Sequence, residues 1–150
     1  MVDVVTPQVR SQMMASIRAT DTAPELFMRR GLHRLGFRFR LDDRTLPGRP
    51  DLVFPKYHAV LFVHGCFWHR HDCHLFKWPA SREEFWREKL EGNAARDQRS
   101  FGELTKAEWR VGVVWECAVK GKMRVTPEEI FTKCSAWLRS DECFMEISSR

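Results

Sequence analysis

The chain has 150 residues, of which 43% are hydrophobic and 30% are charged. This length and apolar fraction predict one domain, residues 1–150, with a core of its own. The uncharged apolar runs are too short to cross a bilayer, and the N-terminus lacks the pattern of a signal peptide, which disfavours secretion and membrane insertion. Lysine and arginine outnumber aspartate and glutamate by 25 to 20, which favours an anionic partner such as nucleic acid.

The first predicted elements are an N-terminal arm and a helix. Residues 1–20 are polar with few apolar positions, as in a short helix or an arm. Thr22, Pro24 and Glu25 have the layout of a capping box, so a helix is predicted at about 23–35. Glu25 therefore has an ordinary explanation as a capping acid.

Three segments then have the patterns of strands. Residues 37–41 alternate with period two, which predicts a half-buried strand. The apolar runs at 51–54 and 59–63 are separated by a short turn, which predicts an antiparallel pair near the centre of a sheet. Residues 110–115 are another buried-strand pattern.

The remaining segments are mostly helical. A second capping-box layout at 81–84 predicts a helix to about residue 90, and another helical stretch follows Gly92 and Asn93 to about residue 107. A third such layout begins at Thr126, and the last ten residues are expected to be frayed. The order of elements predicts an α/β fold, a sheet flanked by helices.

Potential metal ligands are concentrated between His64 and His74, where four of the six histidines and two of the five cysteines lie. An odd cysteine number without an export signal favours metal ligation or free thiols over disulfides. Cys66, His71 and Cys73 have the spacing of three zinc ligands, and Cys117 is the candidate for the fourth. The alternative is a group of unliganded thiols and exposed histidines.

The residues outside this ligand set suggest a nuclease. Asp51 follows a proline at the start of a strand, as in metal-dependent nucleases of the restriction-enzyme type, although it also fits an ordinary turn. The next strand ends at His64, without the usual second acid and lysine, so His64 or His69 would move the proton or contact the phosphate. Asp97 could orient such a histidine, or be an ordinary solvated helix residue.

Two aromatic residues lie inside the ligand-rich loop. Phe67 and Trp68 have little core to enter there, and apolar wedges inserted between base pairs are a known means of deforming DNA. Core packing is the other interpretation.

These residues together resemble the very short patch repair endonucleases, bacterial enzymes that nick DNA at mismatches. The resemblance covers about residues 8–122, and its motifs include Leu46–Asp51, the block His64–His69 followed by His71 and Cys73, and Val114–Cys117. It implies a restriction-endonuclease-like fold of the PD-(D/E)XK type, divided into an arm (1–20), a catalytic core (21–122) and an extension (123–150). It also implies a nick 5′ of the thymine in a T:G mismatch that arises by deamination of 5-methylcytosine.

The resemblance assigns roles to individual residues. Asp51 is implied as the Mg²⁺-binding acid with the backbone carbonyl of Val63, where a family member carries threonine. The other implied catalytic groups are His69 as general base, Asp97 as its orienting partner, His64 at the scissile phosphate, and Glu25 reaching the metal through water. Zn²⁺ is expected on Cys66, His71, Cys73 and Cys117, and the residues inserted into DNA are expected to be Met14, Phe67, Trp68 and Trp86.

The resemblance also sets the expected surroundings. We expect a monomeric cytoplasmic protein, associated with the bacterial nucleoid, that acts on double-stranded DNA with mismatch-repair proteins as possible partners. Two alternatives stay open. One is a zinc-stabilised nuclease of other sequence or lesion specificity, and the other is a DNA-binding module without catalytic activity.

Overall fold

A computed structural model describes residues 21–150, which contain one mixed sheet of five strands. The strands are β1 (Arg40–Leu41), β2 (Leu52–Phe54), β3 (Ala59–His64), β4 (Arg110–Trp115) and β5 (Phe144–Ile147). They lie in chain order across the sheet. β1 with β2 and β2 with β3 are antiparallel pairs, whereas β3 with β4 and β4 with β5 are parallel pairs.

Helices connect and cover these strands. They are α1 (Ala23–Arg34), a 3-10 turn (Pro55–Tyr57), α2 (Glu83–Lys106), α3 (Glu116–Val119) and α4 (Pro127–Leu138). The parallel pair of β3 and β4 needs a crossover, which the loop 65–82 and the long helix α2 supply. None of the helices in residues 21–150 combines the length and apolarity that a membrane span requires.

The core has one layer on each face of the sheet. On one face α1 and α4 pack together, and Gly31 permits their close approach because a Cβ there would lie 2.0 Å from the ring of Phe131. On the other face α2 and the loop after β3 cover Val60, Phe62 and Val113. All three residues of β2 and all six of β3 are buried, as expected for central strands.

Several predicted elements are confirmed. Helix α1 begins after Thr22, whose hydroxyl accepts a hydrogen bond from the Glu25 N–H at 3.4 Å. The antiparallel pairing of β2 with β3 is confirmed, as is the buried strand β4. Helix α4 has the predicted Thr126 cap, and its buried face contains Ile130 and Trp137. The predicted sheet flanked by helices is thus confirmed.

Four predictions about local structure were wrong. The segment 37–41 forms only the two-residue strand β1, because the ring of Phe37 is instead buried against Phe54 and Tyr57. Helix α2 runs unbroken through Gly92 and Asn93. Its N-cap is Arg82 with no side-chain cap, so the predicted capping box at 81–84 is absent. The chain end is not frayed, since β5 pairs with β4.

Candidate active site and metal centres

A cleft of about 700 Å³ opens where α1, the end of β3 and α2 meet. It is lined by side chains from distant parts of the chain: Glu25, Asp42, Asp51, His64, His69 and Asp97. The antiparallel turn between β2 and β3 brings Asp51 beside the end of β3, and the crossover returns Asp97 on α2. Five of the six were predicted as site residues, and the structure brings all five to one cleft.

Three carboxylates form the acid cluster, which consists of Glu25, Asp42 and Asp51. One oxygen of each lies within 4.8 Å of the others. Oδ2 of Asp51 accepts a hydrogen bond from the N–H of Val63 at 2.6 Å, and the carbonyl of Asp51 accepts one from the N–H of Asp42 at 3.1 Å. These backbone contacts fix the position of Asp51 between β1 and β3.

The acid cluster is electrostatically unfavourable by itself. Burial raises the pKa of Asp51 to about 8, and the neighbouring carboxylates of Glu25 and Asp42 add to the rise. Burial also raises the pKa of Glu25. Arg29 supplies partial compensation, with its guanidinium 3.2 Å from Glu25 and 3.6 Å from Asp42. A hard divalent cation would fit these oxygen donors and relieve their repulsion.

His64 and His69 form a stacked pair that lines the same cleft. Their ring centroids are 3.7 Å apart and their planes differ by 1°. His64 is 4% exposed, and its Nδ1 has no hydrogen-bond partner within residues 21–150. Burial, reinforced by His69, holds the pKa of His64 well below its usual value, so its imidazole is neutral at pH 7.

Helix α2 orients the second histidine. Nδ1 of His69 lies 2.6 Å from Oδ2 of Asp97, which favours the tautomer with its lone pair on Nε2. One turn earlier, the side-chain amide of Asn93 donates to the carbonyl of Trp68 at 3.0 Å and attaches the loop to α2. Both contacts come from one helix face because residues 93 and 97 are four positions apart.

A third group, the thiol cluster of Cys66, His71, Cys73 and Cys117, joins the loop after β3 to α3. Nδ1 of His71 is 3.6 Å from the sulfur of Cys66 and 3.5 Å from that of Cys117, and all four ligand atoms lie within 4.8 Å of one another. Cys66 and Cys117 are fully buried. Soft sulfur donors with one imidazole suit a tetrahedral metal ion with no open position.

The surroundings of the thiol cluster affect the protonation of its members, which a bound metal ion would also change. Burial raises the pKa of Cys66 and lowers that of His71. The N–H of Cys117 donates to the sulfur of Cys66, and the N–H of Ser149 donates to the sulfur of Cys117, each at 3.3 Å. Such donors favour thiolates, the form in which cysteine binds metals.

Trp115, at the end of β4, forms a wall between the histidine pair and the thiol cluster. Its ring stacks on His71 at 4.0 Å and meets His64 edge-on at 5.2 Å. Its indole N–H donates to a carboxylate oxygen of Glu146 on β5 at 2.8 Å. The sequence interpretation gave Trp115 no such role, and Glu146 lies in the segment that was predicted to be frayed.

The predicted wedge residues within the described part of the chain lie together. Phe67, Trp68 and Trp86 form an aromatic cluster with ring centroids 5.1 to 6.1 Å apart, and each remains partly exposed. Phe67 and Trp68 also line the cleft. The fourth, Met14, lies outside the described residues.

Two acidic residues of the site were missed by the sequence interpretation. Asp42 belongs to the acid cluster, but the sequence interpretation gave it no role. Glu116 lines the cleft and accepts a hydrogen bond from the N–H of Cys66 at 3.2 Å. Its position next to Cys117 in the chain was the available signal.

Comparisons with known proteins show the family of the chain. Residues 2–75 match the family model described as DNA mismatch endonuclease Vsr. The chain is 42% identical over all its residues to "DNA mismatch endonuclease Vsr" of Escherichia coli (strain K12), covering 96% of that protein. The chain belongs to the DNA mismatch endonuclease Vsr family.

Other relatives of this Vsr family member carry related names. It is 49% identical over 78% of its length to the "Type II nicking enzyme V.XorIIP" of Xanthomonas oryzae, covering 86% of that protein. It is 43% identical over 81% of its length to the "Type II nicking enzyme V.NmeAIP" of Neisseria meningitidis, covering 87% of that protein. The predicted family is confirmed.

Proposed function

We propose that this protein nicks one DNA strand 5′ of the thymine in a T:G mismatch and so begins very short patch repair. The observation that carries the proposal is the His69–Asp97 contact of 2.6 Å in a cleft shared with the acid cluster. A general base with an orienting carboxylate, in one cleft with oxygen donors for a divalent cation, suits phosphodiester hydrolysis. Membership of the Vsr family supports the mismatch substrate.

The proposed core is of the restriction-endonuclease type. Asp51 stands just before β2, and the antiparallel register places it beside Val63 near the end of β3. This position supports Asp51 as the first acid of a PD-(D/E)XK site, in which His64 would replace the usual acid and lysine. The single-domain division into arm, core and extension remains part of the proposal.

Mg²⁺ is the proposed catalytic cation. Asp51 and the carbonyl of Val63 would hold it, with Glu25 acting through water, and the three carboxylates supply the hard oxygen donors that Mg²⁺ prefers. Such an ion stabilises negative charge on a scissile phosphate and makes bound water more acidic.

The two histidines have different proposed roles. Because Asp97 holds its Nδ1, His69 would accept the proton of the attacking water at Nε2. Neutral His64 would contact the scissile phosphate, with its stacked neighbour limiting its movement. The aromatic cluster would insert beside the mismatch and unstack it. Zn²⁺ on Cys66, His71, Cys73 and Cys117 would hold the loop that carries Phe67, Trp68 and His69.

We propose that the protein works as a monomer on double-stranded DNA in the bacterial cytoplasm, at the nucleoid, with mismatch-repair proteins as further partners. The name of the Escherichia coli relative supports DNA as the partner.

The decisive experiment is cleavage of an end-labelled duplex that carries one T:G mismatch, beside its T:A and C:G versions, with and without Mg²⁺. The expected result is a single Mg²⁺-dependent nick 5′ of the mismatched thymine. Cleavage of all duplexes would indicate a nuclease of other specificity. Binding without cleavage would indicate a non-catalytic DNA-binding module.

A further inference from the structure

Beyond the aromatic cluster, an exposed group of arginines surrounds one more aromatic ring. The guanidinium carbons of Arg70 and Arg87 lie 5.5 and 4.8 Å from the ring centre of Trp78. Both arginines are exposed, and Trp78 is half-buried. This cation–aromatic group, Arg70, Trp78 and Arg87, has no role in the site described above.

The group is continuous with the aromatic cluster. The ring centroids of Phe67 and Phe76 are 6.1 Å apart, and those of Phe76 and Trp78 are 5.0 Å apart. Trp78 therefore lies no more than about 11 Å from Phe67, or roughly three base-pair steps at 3.4 Å each. A duplex bound at Phe67 would reach the cation–aromatic group.

The charges in this group are available to an anion. Among residues 21–150, the ion pairs do not include Arg70. Arg87 pairs with Glu83 at 3.2 Å, but their side chains are 48% and 67% exposed, and such pairs are weak and easily exchanged. Stacking on Trp78 orders both guanidinium groups in advance, so less entropy is lost when they bind a phosphate.

We propose that Arg70 and Arg87, held on the ring of Trp78, bind the phosphate backbone of the duplex beside the inserted aromatic cluster. The proposal rests on the proposed function, because it takes DNA as the partner. Contacts to phosphates supply affinity and register without reading sequence, and they make binding depend on salt. The cation–aromatic group would therefore strengthen binding to mismatched and matched duplexes equally.

The test is fluorescence anisotropy of the zinc-loaded full chain with a T:G duplex and a T:A duplex at several salt concentrations, without Mg²⁺. Arg70→Gln and Arg87→Gln should each lower the magnitude of the slope of log K against log salt by about one, on both duplexes. Trp78→Leu should weaken binding to both duplexes, although Arg70 and Arg87 keep their charges.

Two matched controls test whether the effect on the slope is specific to Arg70 and Arg87. Arg139→Gln removes another exposed arginine that covers an aromatic ring, Phe37, on the opposite face of the sheet, and should leave the slope unchanged. Glu83→Gln frees Arg87 from its ion pair and should not reduce the slope. Wild-type slopes in both Arg70→Gln and Arg87→Gln would overturn the proposal.

The same samples keep this proposal distinct from the proposed function. A reduced slope without Mg²⁺-dependent nicking by the wild-type chain would leave the phosphate contacts in place and overturn only the enzymatic assignment. Normal nicking with unchanged slopes would overturn only the phosphate contacts.

Discussion

The acid cluster and the thiol cluster are both groups of metal-competent side chains, but they differ in access and in chemistry. The thiol cluster has two fully buried cysteines, soft donors and N–H groups aimed at its sulfurs. The acid cluster lines an open cleft and has hard oxygen donors. The difference indicates that a metal ion in the thiol cluster would stabilise the fold of the loop. A metal ion in the acid cluster would contact a molecule bound in the cleft.

The largest effect is expected for His69→Ala, which should impair catalysis in the cleft and leave the thiol cluster unchanged. Loss of the general base should lower the nicking rate at least about 100-fold. DNA affinity, zinc content and thermal stability should remain near wild type, as measured by anisotropy, metal analysis and calorimetry. Simultaneous loss of nicking and DNA binding would mark a folding defect instead.

Cys73→Ala should disrupt the thiol cluster. Removing one of four ligands should abolish stoichiometric zinc binding and cost about 3 kcal/mol of stability, or roughly 10 °C in Tm for a chain of this size. Cys143→Ala is the matched control, since Cys143 is exposed and outside the cluster. Equal zinc content in the two variants would contradict the assignment.

Asp51→Asn sharpens the electrostatic side of the comparison. Burial raises the pKa of Asp51 to about 8, above its unfolded value near 4, so its stabilising effect is present at low pH and is lost as pH rises toward 8. In metal-free protein the Tm of Asp51→Asn relative to wild type should therefore increase between pH 5 and pH 8.5, by at least about 2 °C. Calorimetry at matched pH values measures it, and a constant difference would refute it.

Asp42→Asn should have the smallest effect. It removes one carboxylate from the acid cluster and should weaken Mn²⁺ or Mg²⁺ binding by about threefold to tenfold in calorimetric titrations. Asp43→Asn is the neighbouring control, because the Asp43 carboxylate instead accepts hydrogen bonds from Thr45. Equal weakening by both variants would mean that only net charge matters.

Local signals in the sequence were enough for much of the fold. The Thr22 and Thr126 caps and the buried runs of β2, β3 and β4 are short-range features, and all are present. The errors came from tertiary contacts. Gly92 and Asn93 resemble a helix break, yet α2 continues through them because Asn93 is held by the carbonyl of Trp68.

The site shows the same division. Ligand density between His64 and His74 predicted the thiol cluster, whose four members the structure brings together. The role of Trp115 and Glu146 depends on β5 pairing with β4 in parallel, a long-range contact with no local signature. Asp42 enters the acid cluster only because β1 pairs with β2. Family resemblance supplied the residue roles that spacing alone left open.

The parallel stack of His64 on His69 has a consequence for proton transfer. Burial in this stack holds the pKa of His64 well below its usual value, so its ring stays neutral beside His69, whose Nδ1 contacts Asp97. A positive charge on both rings at a centroid separation of 3.7 Å would be strongly repulsive. In the proposed reaction His64 therefore does not relay the proton that His69 takes from water, which leaves to solvent or to the departing oxygen.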